Sequence, residues 1–374
     1  MTQISKTHLS DGREIIYFDD APGNDRSAPD RRGLSAVVST SERRWDQLTQ
    51  EWVVVAGHRQ SRTFHPPTNE CPLDPSDGDR LTEIPAAGYD VVVFENRFPS
   101  LSPTAADAFL DAPAPDNALV DASGAALFRR APGTGRCEVV CFTSDHNGSF
   151  ATLPPARVRT VLDALADRTL ALGAIDGVEY VFCFENRGEE IGVTLSHPHG
   201  QIYGYPFVPP RMARTVTAVR EHHEATGGCL QCSVLAAEQA DSVRIVEKGE
   251  HFTAFVPFAA RWPYEVMVVP HRHVPDIPAL NDAERDELAV LYPAVLRRFD
   301  ALFDTPAPYI AGWQQAPVNE ARDTWHLALQ VFSIRRAAGK LKYLAGSESG
   351  AAVWINDIAP EKAAAALRGE NTDG

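Results

Sequence analysis

The sequence predicts an α+β fold built from two tandem units, each an antiparallel sheet with flanking helices. Three observations carry that expectation. Short runs rich in Val, Ile, Phe and Tyr, bounded by Gly, Pro, Asn or Asp, recur along the chain as strands do. A long stretch with helical spacing lies among the strands of each half. The order of chemically distinctive residues also repeats. The first half carries Cys71-Pro72-Leu73-Asp74, His146 and His197-x-His199-x-Gln201; the second carries Cys229-Leu230-Gln231-Cys232, His273 and His326-x-Ala328-x-Gln330. His146 precedes His197 by 51 residues and His273 precedes His326 by 53, with the long helix inside each interval. Tryptophan and proline landmarks do not recur, so the scaffold repeats while its detail has diverged.

Taken in order, residues 1–35 are polar, rich in Asp, Arg and Pro, and weakly periodic, which predicts an N-terminal arm outside the core. The first unit, 36–210, has strand patterns at 51–56, 89–94, 137–143, 179–184 and 201–205. Its helix spans 154–172, with Val158, Val161, Leu162, Leu165 and Leu170 toward one side and Pro154 and Pro155 suited to the first turn. A helix at 211–226 and the pair Gly227-Gly228 mark the junction with the second unit, 211–374. There the strand patterns fall at 242–247, 252–257, 265–270, 309–312 and 326–334, with a helix at 282–303.

Bulk properties restrict the function. A chain of 374 residues exceeds one ordinary core, and 44% hydrophobic with 23% charged residues describes a soluble globular protein. The net charge of −15 excludes general nucleic-acid binding, because no basic stripe exists to neutralise a phosphate backbone. It leaves room for a small anionic ligand. No apolar run approaches the ~20 residues of a membrane span. The N-terminus lacks a signal peptide's apolar core, so the cytoplasm is the expected compartment and cysteines are expected as thiols or metal ligands. Cys137 and Cys141, on one face of a strand pattern, read as core residues.

His197-Pro198-His199-Gly200-Gln201 carries the chemistry. On an extended chain His197, His199 and Gln201 project the same way. Imidazoles in a row can bind metal, pass protons or attack phosphorus. Gln201 can donate to a phosphoryl oxygen but cannot take a proton from water, so the row favours transfer over hydrolysis. Pro198 and Gly200 disfavour a plain strand interior, and Gly200 would let a ligand approach the backbone. Cys71, Asp74, His146 and His197 make an acceptable tetrahedral zinc shell; Cys229, Cys232, His273 and His326 make a second, softer one, although a Cys-x-x-Cys pair also suits redox chemistry. With four protein ligands each site would be closed to substrate and structural. His197 corresponds to His326, whereas His199 corresponds to Ala328, so only the first half keeps a nucleophile. The turn Asn186-Arg187-Gly188 through Gly192-Val193-Thr194 could present amides and hydroxyls to phosphate, or be a plain hairpin. Arg59 and Arg62 offer guanidinium groups to phosphate oxygens, or are simply solvated.

His-Pro-His-Gly-Gln after Glu-Asn-x-Gly, with the upstream cysteine motif and Ser144-Asp145-His146, resembles the galactose-1-phosphate uridylyltransferase family of the histidine-triad superfamily, over about residues 43–348. The resemblance implies two histidine-triad-like units, usually a homodimer, and a double displacement. UDP-glucose would uridylylate His199 and release glucose 1-phosphate, and galactose 1-phosphate would accept the uridylyl group. It further implies that Gln201 contacts the transferred phosphoryl group, and that Asn186, Gly192, Val193 and Thr194 hold the phosphates with Arg59 and Arg62. Phe94, Asn96, Arg97 and Phe98 would hold the uridine, Asn96 at the ribose. Lys342, Tyr343, Ser347 and Glu348 would reach the sugar from the partner subunit. Asp74 stands where many relatives have Cys, which implies weaker zinc binding there or its loss. The family's separate iron site is not expected, because Thr215, Gln314 and Ala328 cannot supply it. The paired-zinc pattern also occurs among nucleotide-sugar phosphorylases, which leaves a phosphorylase or adenylyltransferase, or a non-catalytic zinc-stabilised nucleotide-binding module, as alternatives.

Overall fold

In the computed structural model, residues 2–61, 66–110, 120–124 and 126–370 are described. Eleven strands form one sheet: Gln3–His8 (β1), Glu14–Asp19 (β2), Val91–Glu95 (β3), Arg136–Cys141 (β4), Tyr180–Arg187 (β5), His199–Tyr205 (β6), Ile245–Lys248 (β7), Phe252–Phe255 (β8), Tyr264–Pro270 (β9), Tyr309–Gln314 (β10) and Ala328–Ser333 (β11). Their spatial order is β1-β2-β3-β4-β6-β5-β10-β11-β9-β8-β7. Every neighbouring pair is antiparallel. The run β4-β6-β5 of the first half is mirrored by β9-β11-β10 of the second. The two sheets are continuous because β5 and β10 pair edge to edge, Tyr309 opposite Arg187 through Gly312 opposite Phe184. Joining two half-sheets this way removes two open edges.

Each half supplies a helix to one face. Pro155–Gly173 (α1) starts at proline, whose missing N–H is no loss in a first helical turn. Its Val158, Val161, Leu162 and Leu165 enter a core shared with Leu288, Val295, Leu296 and Phe299 of the later helix Asp282–Ala301. Leu170 was expected on the same side but is exposed, and Leu172 takes the inward position. A reciprocal cap between Asn281 and Glu284 fixes the start of Asp282–Ala301. The opposite face is covered in patches by Pro210–Thr226 (α2) and Leu230–Asp241 (α3). The Asp282–Ala301 helix is α4, and Pro360–Leu367 (α5) packs near the sheet's far edge. The expected strand at 51–56 exists as Glu51–Val55, but it belongs to a separate three-stranded sheet with Glu42–Asp46 and Arg130–Pro132. No helix among the described residues is long and apolar enough to cross a membrane.

Residues 1–35 are not a detached arm. β1 and β2 form a hairpin whose second strand pairs with β3, and Ile15, Ile16, Tyr17 and Phe18 are buried. The surrounding charge that suggested an arm is paired internally: Arg26 with Asp19, Arg13 with Asp11 and Glu83, Arg32 with Asp30 and Glu83. Buried charges are tolerated when so compensated.

Along β6 the exposure alternates, with His199, Gln201 and Tyr203 on the half-open face and Gly200, Ile202 and Gly204 toward the α1–α4 layer. Gly200 therefore does not face a ligand. A Cβ there would lie 2.8 Å from the Phe184 carbonyl oxygen and 2.9 Å from Phe142 Cζ. Glu185, opposite Gly200 in register, is buried and accepts a hydrogen bond from Tyr309 Oη at 2.8 Å. Burial pushes its carboxyl up to about 7 from 4.5, against the smaller opposing pull of the Tyr309 hydrogen bond.

Two expectations follow. Gly200→Ala should cost about 1–3 kcal/mol through overpacking, read as a lower midpoint in urea or thermal unfolding. For Glu185, the folded chain keeps a proton that the unfolded chain releases between pH 4.5 and about 7, so its contribution to stability falls as pH rises through that window. Glu185→Gln should thus gain on the parent, by on the order of 3 kcal/mol, between pH 4 and pH 8. Parallel unfolding curves at the two pH values measure the gap.

Candidate active site and metal centres

The chain enters β6 through His197 and Pro198, so the two histidines do not face one way as an extended strand would have them. His197 is 1% exposed and turns its ring inward, whereas the His199 ring is half-buried at the mouth of the site. Two cavities meet at His199. One, of about 340 Å³, is lined by Asn186, Val193, Thr194, His197 and His199, with His146 and Cys71 at its base. The other, of about 190 Å³, is lined by Arg59, Phe94, Asn96, Arg97, Phe98 and Gln201, together with Thr194, His199 and Glu83. Gly192 lines neither. It closes the turn before Val193 with φ of 87°, a left-handed conformation that glycine adopts without steric cost. Lys342, Tyr343, Ser347 and Glu348 also line neither; Lys342 Nζ binds Glu348 Oε1 at 2.9 Å, while Tyr343 is exposed. Arg62 lies outside the described residues.

The electronic state of His199 is set by one hydrogen bond. Its Nδ1 lies 2.7 Å from the His197 carbonyl oxygen, an atom that can only accept. Nδ1 therefore carries the proton and Nε2 carries the lone pair. Burial pushes the imidazole below the usual histidine pKa, which favours the neutral ring that a nucleophile needs. Gln201 is oriented in the same manner: Tyr203 Oη donates to its Oε1 at 2.9 Å, which leaves the amide N–H groups to donate into the cavity.

His197 is itself held from behind. Its Nε2 donates to the Thr143 carbonyl at 2.8 Å and also lies 2.7 Å from Tyr89 Oη, whose own proton goes to the Leu73 carbonyl. Burial lowers the His197 pKa, which favours the neutral ring; with Nε2 donating to Thr143, that ring carries its lone pair on Nδ1. That lone pair faces Asp74 Oδ1 at 3.0 Å, and His146 Nδ1 lies 2.8 Å from the same oxygen. Two acceptors turned toward each other call for a cation between them. Cys71, Asp74, His146 and His197 offer ligand atoms all within 4.8 Å of one another, and so do Cys229, Cys232, His273 and His326. Both sets fit a metal ion.

The second set repeats the construction. His326 Nε2 donates to the Pro270 carbonyl at 3.0 Å, which turns its Nδ1 to Cys232 Sγ at 3.2 Å. Thr143 and Pro270 each stand three residues before the paired histidine, His146 or His273. Cys229 caps α3, and the adjacent thiol of Cys232 is pushed up to about 12 by burial and by Cys229; a cation would reverse that. His199 is not repeated. Ala328 occupies the position, and Gln330, the counterpart of Gln201, is buried and bound by Arg211, Gln314 and Glu265.

Sequence reasoning missed Tyr89, Thr143, Arg80 and Glu83. Arg80 binds Asp74 Oδ2 at 3.0 Å, satisfying the carboxylate's outer oxygen. Thr143 was detectable, because the repeat puts a strand end three residues before each first histidine. The other three carry no sequence signal beyond their polarity.

Comparison with known proteins agrees with this geometry. The galactose-1-phosphate uridyl transferase N-terminal domain matches residues 33–209, and its C-terminal domain matches residues 216–372. A galactose-1-phosphate uridylyltransferase of Streptomyces lividans is 43% identical, covering 97% of each chain. One from Thermotoga maritima is 39% identical, covering 87% of this chain and 98% of its own. A solved uridylyltransferase structure superposes with a TM-score of 0.74 at 31% identity, covering 88% of this chain and 97% of the other. The chain belongs to the galactose-1-phosphate uridylyltransferase family and is a nucleotidyltransferase of that family.

Proposed function

We propose that the chain moves UMP from UDP-glucose to galactose 1-phosphate through a uridylyl group carried on His199. The observation that carries this reading is the Nδ1–H of His199 bound to the His197 carbonyl, which presents Nε2 as a fixed lone pair where two cavities meet. Nε2 attacks the α-phosphorus of UDP-glucose. The N–P bond forms as the bond to glucose 1-phosphate breaks, and that anion leaves. A phosphate oxygen of galactose 1-phosphate then attacks the same phosphorus, and the N–P bond breaks to return the imidazole. Positive charge built on the ring in the first step is met by the His197 carbonyl dipole. Covalent catalysis divides one difficult displacement into two easier ones, and one phosphoanhydride is exchanged for another, so no ATP is needed.

Gln201 donates to the transferring phosphoryl oxygens. Asn186, Gly192, Val193 and Thr194 with Arg59 and Arg62 take the phosphates, and Phe94, Asn96, Arg97 and Phe98 take the uridine. Asn96 Oδ1 accepts from the Phe98 N–H at 2.8 Å, which aims its amide donors outward. Both metal sets suit zinc, with N and S donors, a carboxylate in the first set alone, and no open position; zinc in the first would stiffen the loops that position His197. A homodimer would let Lys342, Tyr343, Ser347 and Glu348 reach the sugar in the partner's site; exposed Tyr343, Leu344, Val353 and Ile355 support a covered surface there. Buried free thiols at Cys137, Cys141 and Cys183 suit a reducing cytoplasm.

Incubation with uracil-labelled UDP-glucose alone should give an acid-labile labelled protein, and His199→Ala should give none. Gln201→Ala should retain the label but form it about 10²-fold more slowly. Turnover without a labelled intermediate would contradict the reading.

A further inference from the structure

Residues 9–34 of this chain reach the wall of the 190 Å³ cavity through a closed network of charges. Arg13 Nη2 lies 2.6 Å from Glu83 Oε2, and Arg32 Nη1 lies 2.7 Å from Glu83 Oε1. Each arginine is aimed by its own aspartate: Arg13 Nε by Asp11 at 2.8 Å, Arg32 Nε by Asp30 at 2.9 Å. Asp30 is held in turn by the backbone N–H and hydroxyl of Ser10, each at 3.0 Å. Arg13 Nη1 also donates to the Glu95 carbonyl at 2.9 Å, beside Asn96. Glu83 is 7% exposed and lines the cavity, with Arg97 Nη1 3.8 Å from its Oε1.

Asp11, Asp30 and Glu83 carry three negative charges, and Arg13, Arg32 and Arg97 carry three positive, so Glu83 sits in a charge-balanced network next to the cavity. A carboxylate has about four lone-pair sites, and the two arginines occupy two. The remaining acceptor capacity is held rigidly on the wall of a cavity that Asn96, whose free amide hydrogens are donors, also lines. An acceptor and a donor lining one cavity match a pair of vicinal hydroxyls, each of which gives one hydrogen bond and takes another.

We infer that Glu83 is a ligand-binding residue for the ribose hydroxyls of the nucleotide, and that Arg13 and Arg32 of the N-terminal segment are its positioning residues. The inference rests on the 190 Å³ cavity being the nucleoside side of the site.

The test is the half-saturating concentration for labelling His199 in the first half-reaction, with UDP-glucose and with its 2′-deoxyribose analogue. A hydrogen bond to a charged group is strong enough that Glu83→Gln should raise the UDP-glucose value about tenfold. The value for the analogue should move by less than about twofold. Arg32→Gln should shift UDP-glucose in the same direction. Thermal unfolding of each variant is followed in parallel. Equal weakening of both ligands, or a lowered unfolding midpoint with unaltered half-saturation, overturns the inference and leaves Glu83 structural. Absence of label on the unmodified protein would instead overturn the covalent reading of the site, so the two failures are distinct.

Discussion

A hydrogen bond of 2.7 Å from His199 Nδ1 to the His197 carbonyl is the constraint on which the rest of the site depends. It selects the tautomer, and the tautomer decides which nitrogen can attack. The carbonyl is useful only if it stays in place, so the residue that owns it must be immobile. His197 achieves this by giving its ring to a different task, with Nε2 on Thr143 and Nδ1 toward Asp74. Two histidines of one motif thus divide the labour, one ring anchoring and the other left free at the cavity mouth. Arg80 and Tyr89 extend the anchor outward, as partners behind a ligand commonly do.

The duplicated sheet makes the division visible within a single molecule. Thr143, His146 and His197 in the first half correspond to Pro270, His273 and His326 in the second, with the same carbonyl-to-Nε2 contact. What differs is the residue two positions further on. His199 opens onto two cavities, whereas Ala328 and the fully bonded Gln330 close the equivalent surface. The anchoring construction therefore stands without a counterpart of His199, which marks it as scaffold. Gly200 serves the same end from below, since its missing side chain lets β6 settle on Phe142 and the Phe184 carbonyl and fixes the height of His199 above the sheet.

Much of this was legible in the amino-acid order, and the failures have identifiable causes. The strands at 137–143 and 265–270 announced themselves as short apolar runs, buried on both faces, and the long helices by the apolar periodicity of their inward side. That His197 and His199 are placed differently followed from the comparison with His326 and Ala328, which is an internal control. The N-terminal hairpin was hidden because Arg13, Arg26 and Arg32 read as solvated charge, yet each is consumed by an acid that folding brings to it. Alternation alone misjudged His197, since the chain is not extended until His199. The short helix at Leu230–Asp241 was missed because Cys-x-x-Cys drew attention as a ligand motif, although Cys229 is also its N-cap. Partners such as Tyr89 and Glu83 act through contacts distant in sequence, which no local pattern encodes.

His199 is held as the neutral tautomer protonated at Nδ1 before any substrate binds. Nitrogen-15 resonance of the histidine side chains, with His199 assigned by comparison with His199→Gln, reads this directly at neutral pH. The account predicts a protonated Nδ1 and an unprotonated Nε2 for His199. A proton on Nε2, or a doubly protonated ring at neutral pH, would contradict it.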